Sequence, residues 1–286
     1  MLRPQHPPGR VSPGTFLRAG VAAAAVGCTL APPASAAPVS STPQKGKPVY
    51  WASVWAADRI PFHEAGVNVR LLAHYKTWLA AAPHNNEHGL RVLVPLCGKT
   101  RDLSFLASLP SVSSVVGVEF VDAAVASLAE EQPALALKPP ATNKRTPFSV
   151  WHGGEKARIL VGDFFKLTKS TATTQGGGLF DAAFDRAALV AVEPVTRGKY
   201  VDALSSALKP GGVVLLTTFE RAEGTAEGRA FGPAYSVTAA DIYSLFGKRG
   251  FRCEMLECVD IPIAPRFQQQ GVTRLLEATW LLTKPA

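Results

Sequence analysis

A glycine turn that follows one apolar run, and an acidic residue that ends the next, constrain the fold of this chain most strongly. Residues 91–96 predict a short buried strand that leads into Gly98, and Glu119 ends a second apolar run 21 positions after Gly98. In doubly wound sheets, such a turn lets a ligand approach the backbone, and an acid at the end of a neighbouring strand accepts hydrogen bonds from a ribose. The spacing predicts an adenosine site at the carboxyl edge of a parallel sheet.

The remainder of the chain predicts an α/β fold, because short apolar runs alternate with amphipathic segments. Leucines three residues apart after Thr100 indicate a helix, and Thr238 with Asp241 resembles a capping box at the start of another. Residues 131–156 and 169–178 are polar and rich in Pro, Thr or Gly, and we interpret both as surface loops. The predicted strands lie near residues 91–96, 115–119, 158–162, 180–184, 212–218, 251–260 and 275–283.

The start of the chain predicts a targeting segment. The first 57 residues contain no Asp or Glu, and they begin with arginines followed by a run of small apolar residues. With the Ala-Ser-Ala sequence at 34–36, this pattern predicts a removable leader over residues 1–37, a linker over 38–49 and one domain over 50–286. An organellar transit peptide and a secretory signal both fit the leader, and a disordered Pro- and Ala-rich tail is the alternative.

The composition disfavours several classes of protein. No apolar run reaches the roughly 18 residues that span a bilayer. The net charge is +8, but the basic residues form no stripe with interleaved aromatic residues, so nucleic-acid binding is not expected. The cysteines follow neither a metal-ligand spacing nor a secreted disulfide pattern, and they are Cys28, Cys97, Cys253 and Cys258. We therefore expect no metal, no membrane span and no nucleic-acid partner.

The turn at Gly98 and a second turn favour S-adenosylmethionine over a dinucleotide. The outer glycines of G-x-G-x-x-G, which contact a dinucleotide pyrophosphate, are missing around Gly98. Asp163 and Phe164 follow the third main strand, where an acceptor and a ring can read an adenine amino group and stack on the base. Each signal has a structural alternative: a strand-to-helix connection at Gly98, a helix cap at Glu119, and a tight turn with core phenylalanines at 162–165.

A charged pair ends the fourth main strand. Asp185 and Arg186 follow the apolar run 180–184, at the edge where ligands of open α/β sheets bind. Arg186 suits an anionic substrate or a cofactor carboxylate, and Asp185 is a candidate proton acceptor. A structural ion pair between the two side chains is the competing interpretation.

These motifs resemble the thiopurine S-methyltransferase family over roughly residues 50–284. The shared sequences are Trp-x-x-x-Trp at 51–55, Phe-His at 62–63, Pro-Leu-Cys-Gly-Lys at 95–99, Val-Gly-Val-Glu at 116–119, Gly-Asp-Phe-Phe at 162–165, Asp-Arg-Ala-Ala-Leu-Val-Ala at 185–191 and Gly-Pro-x-x-Ser-Val at 232–237. The resemblance implies a class I methyltransferase fold, in which a Rossmann-like sheet has strand order 3-2-1-4-5-7-6, an antiparallel last strand and helices on both faces. It also implies S-adenosyl-L-methionine as cofactor and S-adenosyl-L-homocysteine as product.

The resemblance assigns a cofactor site residue by residue. The residues implied to contact the cofactor are Trp51, Trp55, Leu96, Gly98, Glu119, Asp163, Phe164 and Arg186. The two tryptophans would close over the cofactor from an N-terminal lid, the residues between 96 and 119 would hold its methionine and ribose parts, and the pair at 163–164 would flank the adenine.

The resemblance places the methyl acceptor beside Phe62, Arg186 and Arg266. The two arginines would favour an anionic acceptor, and water or a nearby carboxylate would take the proton, with Asp185 as a candidate. The chain departs from the family at residues 232–235, where Gly-Pro-Ala-Tyr replaces Gly-Pro-Pro-Phe near the expected acceptor side. The identity of the acceptor is therefore open.

We expect a monomeric S-adenosylmethionine-dependent S-methyltransferase that acts on a small-molecule thiol. A methyltransferase for halide or thiocyanate, or for selenium or tellurium oxyanions, is the alternative on the same scaffold. A non-catalytic adenosyl-binding protein would keep Gly98 and Glu119 yet lose Arg186 or Trp55, and all four are present. Because S-adenosylmethionine is made and kept inside cells, we expect the leader to direct the chain to a plastid or mitochondrion.

Overall fold

The computed structural model describes residues 48–83, 88–142, 146–222 and 232–286. Within these ranges, eight strands form one sheet in the order β3-β4-β2-β1-β5-β6-β8-β7. The strands are β1 (Leu90–Pro95), β2 (Val112–Glu119), β3 (Ser149–His152), β4 (Ala157–Val161), β5 (Phe180–Asp185), β6 (Leu208–Ala222), β7 (Arg252–Asp260) and β8 (Arg274–Thr283). Their order brings the ends of β1, β2 and β5 together at the centre of the sheet.

The strand directions confirm the predicted fold class. Strand β1 pairs in parallel with β2 and β5, and parallel pairing continues to β4 on one side and β6 on the other. Strand β8 runs antiparallel to both β6 and β7. Counted without β3, the sheet has the predicted order 3-2-1-4-5-7-6 with an antiparallel last strand.

Two segments that we interpreted as loops contain regular structure. Residues 149–152 form β3, which pairs antiparallel with β4 because Val150 and Trp151 pack on the sheet beside the buried Phe148. Residues 169–174 form a short helix, because Thr168 and Thr171 cap it with reciprocal hydrogen bonds. The loop interpretation was wrong for these parts, since composition alone hides a short edge strand and a single helical turn.

The helices cover both faces of the sheet. They are α1 (Pro48–Ala56), α2 (Val69–Ala80), α3 (Asp102–Ser108), α4 (Asp122–Glu131), α5 (Lys169–Thr174), α6 (Arg197–Ala207), α7 (Ala239–Leu245) and α8 (Pro265–Gln268). The capping box predicted at Thr238 and Asp241 is present at the start of α7, and Ile242 is buried behind it. The predicted helix after Thr100 is α3, whose leucines at 103 and 106 are buried.

Alternating residues of the central strands enter two separate hydrophobic clusters. Leu93 belongs to the cluster that contains Tyr200 of α6, whereas Val92 and Val94 belong to the cluster that contains Trp78 of α2. Successive side chains of a strand point to opposite faces, so a strand that is apolar throughout is buried on both. The core therefore consists of two layers, and only the edge of the sheet remains for a ligand.

The leader predicted at 1–37 lies outside the described residues, as do residues 38–47 of the predicted linker. Pro48 and Val49 begin α1. In the described ranges, no helix combines the length and the apolar character that crossing a membrane requires. No three His, Cys, Asp or Glu side chains of the described residues converge as a metal site would require.

Gly117 is expected to be indispensable for the packing of β2 against the turn that follows β1. A Cβ at this position would lie 2.6 Å from Sγ of Cys97 and 2.8 Å from Cδ1 of Ile159, both of which are buried. We expect Gly117→Ala to lower the free energy of unfolding by about 1–3 kcal/mol, because overpacking displaces neighbours in a filled core. Urea denaturation measures the change.

The matched control for this substitution is Gly66→Ala. A Cβ at Gly66 would have no atom within 4 Å, and the residue is exposed. We expect this variant to differ from the wild type by less than about 0.5 kcal/mol. Equal effects of the two substitutions would contradict the packing that we describe at Gly117.

Candidate active site

The turn that follows β1 has an unusual backbone. Leu96 adopts φ 45° and Gly98 adopts φ 52°, so two of its residues lie in the left-handed region, which is disfavoured for leucine. The backbone N–H of Cys97 donates to the Val118 carbonyl at 3.0 Å, which joins the turn to β2. We call residues 96–99 the glycine turn. Its conformation exposes backbone N–H groups to the end of β2.

Glu119 accepts hydrogen bonds from three backbone N–H groups. Its Oε2 accepts from Gly98 at 2.8 Å, and its Oε1 accepts from Phe120 at 2.7 Å and Val121 at 2.8 Å. The side chain is only 7% exposed, and this burial raises the pKa of the carboxyl, which the three N–H groups partly offset. A carboxylate offers about four acceptor positions, so one remains for a ligand hydroxyl.

A cavity of about 330 Å³ opens at this edge of the sheet. Most of the residues that the sequence assigned to the site line it, and they are Trp51, Trp55, Phe62, Leu96, Gly98, Glu119, Arg186 and Arg266. Three assigned residues, Asp163, Phe164 and Asp185, are not among the lining residues. The cavity is thus lined by most of the predicted cofactor and acceptor residues, whereas the predicted adenine pair does not line it.

Aromatic residues of α1 and the following loop close one side of the cavity. We call residues 48–68 the lid segment. The Phe62 ring packs edge-on against Trp51, with centroids 5.7 Å apart, and against Trp55 at 5.9 Å. A Cβ at Gly98 would lie 3.1 Å from the Trp55 ring, so the absent side chain allows the indole to cover the glycine turn.

Arg186 joins the end of β5 to the lid segment. Its Nη1 donates to the Phe62 carbonyl at 2.6 Å, and its Nη2 donates to Oε1 of Glu64 at 2.5 Å. The arginine side chain is 16% exposed and that of Glu64 is 43% exposed. A guanidinium group that lines the cavity therefore also holds the lid segment against the sheet.

Two polar residues that we did not predict extend this connection back to the glycine turn. The side chain of Asn68 caps α2 and donates to Glu64 at 3.1 Å, and its backbone N–H donates to Oδ1 of Asp102 at 2.8 Å. Oδ2 of Asp102 accepts from the Thr100 hydroxyl at 2.6 Å. An Asn before an apolar helical pattern is a capping signal, so Asn68 was accessible from the sequence. Asp102 was not, because α3 has Arg101 as its N-cap and no capping bond from a side chain.

Asp163 and Phe164, the predicted adenine pair, both have structural partners within the chain. The side chain of Asp163 accepts from the N–H of Phe165 at 3.0 Å and begins a short 3₁₀ turn at 164–166. The Phe164 ring is buried and stacks on Tyr200, with centroids 4.8 Å apart. Phe120, which follows Glu119 directly, lines the cavity instead. Sequence spacing could not separate the two phenylalanines, because both follow strand ends.

Asp185 is a buried anchor behind Arg186. Its Oδ1 accepts from the N–H of Leu189 at 3.0 Å, and its Oδ2 accepts from the Tyr200 hydroxyl at 2.7 Å. Burial raises the pKa of its carboxyl to about 6, against the lowering effect of these bonds. The side chain thus fixes the segment that follows Arg186, and it forms no ion pair with Arg186.

An apolar wall and one arginine occupy another part of the cavity. Ile261, Phe219 and Leu275 belong to a small hydrophobic cluster with Phe267, and all four line the cavity. The Arg266 guanidinium lies 4.6 Å from the centre of the Phe267 ring. This surface suits a ligand that has an apolar body and an anionic or polarisable group.

His63 lines the cavity next to Phe62. Burial lowers the pKa of its imidazole, and the positive charges of Lys99, Arg186 and Arg101 lower it further, whereas Glu131 raises it. In the sequence, this histidine is part of the Phe-His motif at 62–63, and the motif alone indicated no role for it.

Comparisons with known proteins identify the family of this chain. Residues 47–285 match the family profile of thiopurine S-methyltransferase. The thiopurine S-methyltransferase of Nitrosospira multiformis is 35% identical over 244 residues, which cover 82% of this chain and 97% of that protein. The enzyme of the same name from Pseudomonas fluorescens is 35% identical over 237 residues, with 82% and 98% covered.

Solved structures support the fold. An arsenic(III) S-adenosylmethionine methyltransferase from Chlamydomonas reinhardtii aligns with TM-score 0.51 and 18% identity over 73% of each chain. The 1,6-didemethyltoxoflavin-N1-methyltransferase of Burkholderia thailandensis, solved with bound S-adenosylhomocysteine, aligns with TM-score 0.51 and 17% identity over 84% of this chain and 87% of the other. At these identities the similarity concerns the fold alone.

The raised pKa of Asp185 predicts a pH dependence of stability. Since the folded pKa of about 6 exceeds the ordinary value of 3.8, the contribution of this group is fully present below about 3.8 and is lost as the pH rises through about 6. Asp185→Asn removes the dependence. We expect its free energy of unfolding, relative to the wild type, to rise by up to about 3 kcal/mol between about pH 4 and pH 7.

Urea unfolding at several pH values measures this difference. Asp202→Asn is the matched control, because Asp202 is 63% exposed and pairs with Arg249 at the surface. We expect the control to change by less than about 1 kcal/mol across the same range. A difference for Asp185→Asn that stays constant with pH would show that this carboxyl is ionised equally in the folded and unfolded chains.

Proposed function

Because the chain belongs to the thiopurine S-methyltransferase family, we propose that it transfers the methyl group of S-adenosylmethionine to the sulfur of a small-molecule thiol. The protein is an S-adenosylmethionine-dependent methyltransferase. The observation that supports a thiol acceptor is one cavity that is lined by Arg186, Arg266 and an apolar wall.

The fit of the cofactor rests on the glycine turn and Glu119. Gly98 has no side chain, so the Trp55 ring can lie close to the backbone of the glycine turn. Glu119 retains one acceptor position after binding three N–H groups, which suits a ribose hydroxyl. We assign Phe120 to the adenine, in place of the buried Phe164. When bound, S-adenosylmethionine supplies an electrophilic methyl group on a sulfonium.

The residues of the lid segment contribute to methyl transfer by positioning the acceptor. Methyl transfer is an in-line displacement, so alignment of the acceptor accounts for much of the rate. Trp51, Trp55 and Phe62 form one aromatic cluster that excludes water from the glycine turn. Arg186 holds this cluster in place through the Phe62 carbonyl.

Arg186 and Arg266 determine the charge of the acceptor. A thiol reacts as its anion, and an alkyl thiol has a pKa near 8.5 in water. Two guanidinium groups in a cavity shielded from water lower that value for a bound acceptor, because they stabilise the thiolate. No nucleophile from the protein is required.

The apolar wall favours a thiol with an organic body over a halide or an inorganic oxyanion. A monatomic or small inorganic anion has no apolar surface to bury against Phe219, Ile261 and Leu275. Burial of apolar area contributes about 25 cal/mol per Å², so an aryl group gains affinity there that a halide does not. We therefore expect halide and thiocyanate to be poorer acceptors than an organic thiol.

The test is a methyl-transfer assay with labelled S-adenosylmethionine, the full chain, and a panel of acceptors. Aromatic thiols are expected to be methylated with the highest kcat/KM, ahead of hydrogen sulfide, selenite, thiocyanate and iodide. Arg186→Ala is expected to lower kcat/KM for aromatic thiols at least about ten-fold more than it weakens calorimetric binding of S-adenosylmethionine, because it removes about 1.4 kcal/mol or more of acceptor stabilisation.

Arg252→Ala is the matched control, since Arg252 is 68% exposed on β7 and is not among the residues that line the cavity. Its kinetic constants are expected to stay within about two-fold of the wild type. Unchanged thiol turnover in Arg186→Ala would remove Arg186 from the mechanism. A preference for iodide or thiocyanate would overturn the proposed acceptor class.

A further inference from the structure

Methylation of a neutral thiol releases a proton, which either water or a side chain that lines the cavity accepts. The sequence suggested Asp185, but this carboxylate is fully buried and bonded to Tyr200 and Leu189. The candidate proton acceptors are therefore the basic side chains that line the cavity. The inference that follows rests on the proposed function, because it needs a thiol acceptor.

Among the described residues that line the cavity, the carboxylates and imidazoles are Glu119, Asp102 and His63. Glu119 accepts hydrogen bonds from three backbone N–H groups, and protonation of its carboxylate would weaken the bonds that hold the glycine turn. Asp102 accepts from Asn68 and Thr100 and is buried beside them. Both carboxylates already have structural partners.

Other acidic groups near the cavity are also paired. Glu64 binds Arg186, and Glu131 binds the ammonium group of Lys99 at 2.6 Å. Burial holds the pKa of the Cys97 thiol well above its ordinary value, so this thiol stays neutral and gives no base. None of these groups is suited to exchange a proton with a ligand.

His63 differs from these residues. In the described part of the chain, its side chain takes part in no hydrogen bond, although it lines the cavity. It lies between Phe62 and Glu64, the two residues that bind Arg186. His63 is therefore part of the loop that Arg186 binds, its side chain lines the same cavity as Arg186, and its nitrogen atoms are uncommitted.

We propose that His63 is the general base that accepts the proton of the acceptor thiol. The acceptor sulfur loses its proton to the imidazole and forms a bond to the methyl carbon, whose bond to the sulfonium sulfur breaks. The products are the methyl thioether, S-adenosylhomocysteine and an imidazolium. The imidazolium then releases the proton to water, which restores the neutral ring.

The charges around His63 suit this role. Lys99 ends the glycine turn, Arg101 precedes α3 and Arg186 follows β5, and all three favour the neutral ring. Glu131, at the end of α4, acts in the opposite direction and is paired with Lys99. Burial acts with the three cations. The ring is thus neutral before transfer and gives up the proton readily afterwards.

The test compares two thiols of similar size in the full chain, an aryl thiol with a pKa below the assay pH and an arylalkyl thiol with a pKa well above it. We expect His63→Gln to lower kcat at least about ten-fold for the less acidic thiol. For the thiol that is already ionised, kcat is expected to stay within about two-fold, because no proton needs to be removed.

The matched control is His152→Gln, since His152 is exposed on β3 and is not among the residues that line the cavity. It is expected to leave both rates unchanged. Calorimetric binding of S-adenosylhomocysteine to His63→Gln is expected to equal that of the wild type, which verifies the fold and the cofactor site. Should His63→Gln fail this criterion, His63→Asn replaces it in the same comparison.

The outcomes separate this proposal from the proposed function. An equal loss of kcat for both thiols, or no loss for either, would overturn the role of His63 as a base. A wild-type protein that methylates no thiol, yet binds S-adenosylhomocysteine, would instead refute the acceptor class. A ten-fold loss confined to the less acidic thiol supports both.

Discussion

The carboxylate of Glu119 is the group on which the rest of the site depends. It accepts hydrogen bonds from backbone N–H groups of the glycine turn and of the first residues after β2. The backbone carbonyl of Glu119 accepts a further hydrogen bond from the N–H of Gly162, which follows β4. One residue thus fixes the ends of three parallel strands. Burying a carboxylate is unfavourable unless hydrogen bonds replace its water, and three N–H groups provide them. The same bonds orient the carboxylate toward the cavity.

A second set of contacts joins the lid segment to this edge. Arg186 binds the Phe62 carbonyl and Glu64, Glu64 accepts from Asn68, and Asn68 donates to Asp102. Through Thr100, the series returns to the glycine turn. The aromatic residues of the lid segment, Arg186 and the glycine turn are therefore parts of one connected structure.

The sequence predicted the features that neighbouring strands impose. Gly98 and Glu119 had to meet, because parallel neighbours end at one edge, and Arg186 lies at that edge for the same reason. Side-chain direction at a strand end depends on the turn that follows, and no periodicity reports it. For that reason Phe164 is a core residue, Phe120 lines the cavity, and Asp185 faces inward while Arg186 faces the ligand side. The strand β3 was missed because short edge strands have little apolar pattern.

The measurement that tests this account most directly is the calorimetric affinity of the full chain for S-adenosylhomocysteine and for its 2′,3′-dideoxy counterpart. If Glu119 accepts a ribose hydroxyl, the dideoxy compound binds at least about ten-fold more weakly, since a hydrogen bond to a charged group contributes about 1.5–3 kcal/mol. Equal affinities would contradict the account, because Glu119 would then serve the fold alone and the glycine turn would hold no ribose.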